Sequence, residues 1–249
     1  MKKLKNIFLS PRTNLAAFIL VVVLILCATI GVASAAISYI TSTYSSQIRM
    51  YDIGVSLLEN GERVSWRDYG SKDDGNWDQN IPGVLLGNML ENDGNVILGK
   101  AYTEELNVRN SGSINQYVRV SIYKYWVDPN KFAKDPENAK LSELDPDYID
   151  LHLTNLDSAW LLDTSASTSE RVVLYYNRLL NSGDVTPLFA DTVTISNACR
   201  KEKAAYNGAQ FRIEVHVDAV QENNAGDAIL SAWGRTVAVD EESGTLSLN

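Results

Sequence analysis

The sequence is poor in the residues from which most catalytic and metal centres are built. It has two histidines, His152 and His216, and two cysteines, Cys27 and Cys199. No HExxH helix, Gly-x-Ser-x-Gly elbow, phosphate loop or Cys-x-x-Cys pair occurs. The chain is therefore expected not to be an enzyme and to carry no cofactor or metal. Cys27 follows Leu26, where a lipoprotein site needs a small residue, so lipidation is not expected. Cleavage after Ala35 would leave Cys199 alone, without an internal disulfide, and the fold must then rest on its core. After Ile40 no long hydrophobic run returns, which excludes a second membrane span. Residues 241–249 contain neither a sortase-type LPxTG motif nor a hydrophobic tail, so covalent wall anchoring is not expected.

Positive charge is also scarce: 22 Lys and Arg stand against 31 Asp and Glu, for a net charge of −9. Residues 1–35 hold four of those basic groups and no acidic one, so their removal leaves −13. Such acidity disfavours nucleic acid and anionic lipid as partners and favours solubility outside a cell.

What the chain does have begins at its N-terminus. Lys2, Lys3, Lys5 and Arg12 precede an apolar run from Leu15 to Val32, and Ala33-Ser34-Ala35 supplies small residues for a signal peptidase. Residues 1–35 are read as a signal peptide cut between Ala35 and Ala36. The run approaches the roughly 20 residues that span a bilayer, so an uncleaved anchor is the alternative; either way the remainder is exported.

Residues 36–50 form an N-terminal extension. From Ala36 to Ile48 it holds no charge and no proline, and it is rich in β-favouring residues such as Ile37, Tyr39, Ile40 and Thr41. It is read either as a flexible or edge strand or as one that pairs with another subunit.

Residues 51–249 alternate with period 2 in many short stretches. Ile53, Val55 and Leu57 precede Asn60-Gly61, a strong hairpin signal. Tyr102, Glu104, Leu106 and Val108 share one face, and Asn110 to Ser113 supply a turn. Val118, Val120 and Ile122 follow. Residues 70–80 read as a polar loop and 128–147 as an insertion with short helical turns. Further strands are expected at 148–153, 171–176, 192–195 and, most clearly, 211–220. A helix is expected from Ser196 or Asn197 to Tyr206, and another from Gly226 to Trp233, ending at Gly234. The pattern predicts a mainly β fold, a jelly-roll-like antiparallel β-sandwich with short helical insertions.

A few side chains are candidate ligands. Glu214, His216 and Asp218 share one strand face, but any strand with one wet face gives that alternation. Asp150 and His152 form a similar pair. Asp74, Asn76, Asp78 and Asn80 alternate like a calcium loop, yet Gln79 stands where such a loop needs glycine. Cys199 adjoins Arg200 and Lys201, cations that could depress its pKa, but no base accompanies it, and it is read as a packed or partly exposed thiol.

Several segments together resemble a known family: Glu105 to Gly112, Tyr117 to Val120, Phe211 to Gln221 with its Asp-Ala-Val-Gln, and Ala228 to Gly234 with its Ala-Trp-Gly. With the long apolar signal, they are similar to the TasA/camelysin group of exported proteins from Gram-positive bacteria, and within it to BsaA-like biofilm matrix proteins. The resemblance implies processing by a SipW-type signal peptidase, a jelly-roll-like sandwich, and assembly into extracellular fibres by strand insertion into the next subunit. On that basis Ile37, Tyr39 and Thr41 are the expected self-assembly residues, filling pockets of a neighbouring copy. Camelysin is described as a metalloendopeptidase, but no residue here matches such a site. The expected function is a secreted matrix-fibre subunit, a homo-oligomeric filament that meets a membrane only through its signal segment. The alternatives are a membrane-anchored surface binding module and, third, a metal-dependent endopeptidase.

Overall fold

Alternating strands bury one face each, and here two sheets bury those faces against one another. The computed structural model describes residues 53–69, 77–80, 85–86 and 96–248. Strands β1 (Gly54–Glu59), β2 (Glu62–Tyr69), β3 (Trp77–Asn80), β4 (Ala101–Asn110), β6 (Ile149–Leu153) and β9 (Ala190–Ile195) form a six-stranded sheet ordered β3-β2-β1-β4-β9-β6. Strands β5 (Gln116–Val127), β7 (Trp160–Leu162), β8 (Arg171–Tyr176) and β10 (Gln210–Gln221) form a four-stranded sheet ordered β10-β5-β8-β7. Every pairing between these strands is antiparallel.

The pairings are nested. β7 pairs with β8, β6 with β9 and β5 with β10, as in one long hairpin rolled into a sandwich; β4 then takes β1 as its partner. This is the jelly-roll-like architecture expected from the pattern. Between the sheets lie Leu57, Leu106, Val108, Val118, Val120, Ile122, Trp160, Leu174, Phe189 and Val215. Trp160 is fully buried against Phe189, at a ring separation of 5.4 Å, and its Nε1 donates to the Pro187 carbonyl at 3.0 Å.

A second, smaller core covers part of the outer face of the four-stranded sheet. Tyr117, Val173, Tyr175 and Val220 project outward there. A C-terminal helix (Ala225–Trp233) and a hairpin of β11 (Val237–Asp240) and β12 (Thr245–Leu248) lie over them through Ala225, Ile229, Val237 and Leu246. The helix ends on Gly234, whose φ of 66° is the left-handed cap that glycine adopts most readily. Asn60 (φ 50°) and Gly61 (φ 85°) make the β1–β2 turn as their sequence predicts.

Three local expectations change. Residues 77–80, read as loop, form edge strand β3, because pairing with β2 outweighs their polar composition: Ser65 Oγ donates to the Asn80 carbonyl at 3.0 Å and Asn80 Nδ2 to that of Val64 at 3.2 Å. The helix expected over 196–206 splits into a 3₁₀ turn (Asn197–Arg200) and one α turn (Lys203–Tyr206). There the Cys199 and Lys201 amides bond three residues back, not four, to the carbonyls of Ser196 and Ala198. Strand β5 buries residues on both faces over part of its length, since the C-terminal helix and hairpin cover Tyr117.

Candidate functional site

The feature with most consequence for function is the free side of β10. Its twelve residues pair with β5 from Gln210↔Val127 to Gln221↔Gln116, and among the described residues no strand pairs its other side. The other edge strands are shorter: β3 has four residues, β6 five and β7 three. In an antiparallel strand, alternate residues direct N–H and C=O to each side, so about six residues of β10 direct both groups away from β5. β1, third from the end of its sheet, lies against β10. A long edge strand of this kind is a template for strand addition.

The side chains of β10 follow the predicted alternation. Ile213 and Val215 are buried inward, while Arg212, Glu214, His216 and Asp218 face outward. The three candidate ligands on that outer face do not converge. Asp218 Oδ2 accepts from Arg119 Nη2 at 2.6 Å and Nε at 3.1 Å. Glu214 Oε1 accepts from the Tyr125 hydroxyl at 2.5 Å. The His216 ring packs edge-on to Tyr123, with centroids 5.3 Å apart. Burial first, then the bond to Glu214, pushes the Tyr125 hydroxyl up to about 12, so it remains a donor.

The other candidates are placed as follows. His152 Nδ1 lies 2.7 Å from Asp191 Oδ1 on β9, not beside Asp150. That hydrogen bond is the main cause holding the Asp191 carboxyl below its ordinary range. The neighbouring Thr192 hydroxyl donates to the same carboxylate oxygen, at 3.2 Å. Cys199 is buried in the main core as a packed thiol, and burial first, with the charges of Glu202 and Asp145 adding to it, pushes the thiol up; Arg200 and Lys201 do not depress it. Asp78 and Asn80 belong to β3. Asp74 and Asn76, like the cleavage pair Ala35 and Ala36 and the self-assembly residues Ile37, Tyr39 and Thr41, lie outside the described residues.

Among the described residues no three His, Cys, Asp or Glu side chains gather to hold a metal, and no helix is long and apolar enough to cross a membrane. An open depression at the start of β1 is lined by Ile53, Gly54, Asp68, Tyr69, Ser111, Gly112, Ser113 and Ser182. Its polar groups serve the fold: Asp68 pairs with Arg63 and accepts from Ser111 Oγ at 2.5 Å, and Ser182 Oγ donates to the Gly112 carbonyl at 2.6 Å.

Comparison of the chain with protein-family models, with curated proteins and with solved structures finds no match.

One arrangement was missed by ligand-spotting in the sequence. Glu104, counted there among the inward residues of β4, is 1% exposed, and Glu59 at the end of β1 is 8% exposed on the same face. An acidic residue in an otherwise apolar alternating set was the signal.

Proposed function

We propose that this protein is a secreted structural subunit that polymerises into extracellular matrix fibres, with residues 36–48 of one copy adding as a strand along β10 of the next. The observation that carries this reading is the twelve-residue edge of β10, longer than any other described edge strand. A charge-free, β-favouring segment of thirteen residues precedes the sandwich in the same chain, a length that matches the edge it would fill. Backbone hydrogen bonds would supply affinity, and alternate side chains, Ile37, Tyr39 and Thr41, would supply specificity. Head-to-tail addition is heterologous and grows filaments. The acidity of the chain outside residues 1–35 keeps unassembled subunits apart. The resemblance to the TasA/camelysin group agrees with this function and with export through a SipW-type peptidase.

Electron microscopy of protein beginning at Ala36, beside protein beginning at Met50, tests the reading. Fibres from the longer form alone, lost in Ile37→Asp or Tyr39→Asp, are the expected result. Monomers from both forms would overturn it and favour an anchored surface module.

A further inference from the structure

Glu59 and Glu104 are diagonal neighbours on the inner face of the six-stranded sheet. Glu59 stands opposite Leu106 in the β1–β4 register, and Glu104 lies two residues before Leu106. Cross-strand diagonal neighbours of this kind lie within reach of long side chains. Neither oxygen of Glu104 receives a hydrogen bond from any donor among the described residues. Glu59, by contrast, accepts the backbone N–H of Leu86 through Oε1. The strand end is clamped beside them: the Asn60 amide donates to the Glu105 carbonyl at 2.8 Å and the Glu105 amide to Asn60 Oδ1 at 3.0 Å.

Among the described residues burial and Glu59 are what act on Glu104, and no cation does; on β2, Glu62 stands opposite Glu59, and Arg63 is taken up by Ser56 and Asp68. From β1 the facing charge is Glu59 itself. From the opposing sheet β5 and β10 present Val118, Val120, Ile122, Ile213 and Val215, all apolar. On the β9 side Asp191 pairs with His152, and His152 is largely exposed. Two buried carboxylates side by side would repel with nothing to offset their desolvation. Two carboxyls that hold one proton form a hydrogen bond instead.

We propose that Glu59 and Glu104 are a proton-sharing latch, in which protonated Glu104 donates to Glu59 and so fastens the Leu86 segment and the β1–β2 hairpin to β4, and which alkaline medium releases. Burial first, then the charge of Glu59 and the hydrogen bond to it, moves the Glu104 carboxyl from an ordinary 4.5 to about 8. Between those values the folded chain holds a proton that the unfolded chain has given up. Stability therefore falls as pH rises through that window, about tenfold in the folding constant per pH unit, and levels off above it. Above about pH 8 the folded state itself loses the proton and the latch opens.

The test uses the full chain in detergent solution. In wild type, the Glu104 carboxyl carbon, assigned by through-bond correlation to its own backbone, is expected to titrate with a midpoint near pH 8. The side-chain amide introduced by Glu104→Gln would donate permanently to Glu59. The variant's folding constant should therefore lose the tenfold-per-unit decline between about pH 5 and 8. The Leu86 amide should exchange faster above about pH 8 in wild type, beyond the intrinsic pH effect, and show no such step in Glu104→Gln. A carboxyl midpoint near the ordinary 4.5, or parallel stability curves for the two proteins, would overturn the latch. The wild-type titration decides the matter even if the variant fails to fold.

Discussion

Arg119 on β5 and Asp218 on β10 face each other directly in the sheet register, and the Arg119 guanidinium also lies 5.2 Å from the ring centre of Trp233 on the C-terminal helix. The ion pair is thus sandwiched between the sheet and the helix that covers its outer face. Trp233 in turn packs on Tyr175, with ring centres 5.6 Å apart. One contact network therefore joins three strands and the helix.

This arrangement ranks two substitutions. The ion pair is partly exposed, at 21% and 39% of its side-chain surfaces, so Asp218→Asn should cost under about 1 kcal/mol and its effect should shrink in salt. Trp233→Ala removes apolar cover from Tyr175 as well as the cation–π contact and should cost about 2 kcal/mol. Urea unfolding at low and high salt checks both. The reverse ranking would mean that charge, not aromatic cover, holds the helix in place.

Two glycines should respond to alanine with opposite signs. Gly61 has φ 85° and open space around a would-be Cβ, so Gly61→Ala is disfavoured by backbone strain alone, by about 1 kcal/mol. Gly226 lies within the C-terminal helix, also with nothing in the way of a Cβ. Gly226→Ala should therefore stabilise by about 0.5–1 kcal/mol. Thermal unfolding of the two variants beside wild type measures the difference, and a loss at Gly226 would count against this helix.

Asp163 should set part of the acid limit of stability. It is 2% exposed, beyond β7, and its Oδ1 accepts from Ser165 Oγ at 2.6 Å and from the amides of Ser165 and Ala166. Arg235, which leads into β11, lies 3.0 Å from its Oδ2. Burial raises the Asp163 pKa, but the Ser165 bond, the Arg235 charge and the amides outweigh it, and the net shift is downward. A carboxyl lowered on folding contributes stability above its unfolded pKa, near about 3.9, and loses it as pH falls through the folded value. Asp163→Asn should flatten the decline below about pH 4 and lower stability at about pH 7. Unfolding curves from about pH 2 to 7 test this, and an unchanged acid limb would refute it.

Local patterns were legible wherever one residue type answers one local demand. The alternation of Tyr102 to Val108 and of Phe211 to Ala219 marked β4 and β10 and their inward faces. Asn60-Gly61 marked a turn that needs two positive φ angles, and Gly234 marked a helix end. β7, β11 and β12 were not legible: three or four residues are too few to show a period, and they become strands by pairing with β8 and with each other.

The sequence by itself determined strand content, turn positions and the abrupt change from a basic, apolar start to an acidic remainder, because each depends on neighbours within a few residues. Only the tertiary structure decided that β4 pairs with β1, that Arg119 meets a carboxylate 99 residues away, and that two carboxyls share one apolar wall. Those outcomes depend on which faces the sheets bury together, and burial changes the chemistry of a side chain more than its sequence neighbours do. Cys199 and Glu104 both follow this rule: burial raises the thiol despite the adjacent Arg200 and Lys201, and burial beside Glu59 raises the carboxyl.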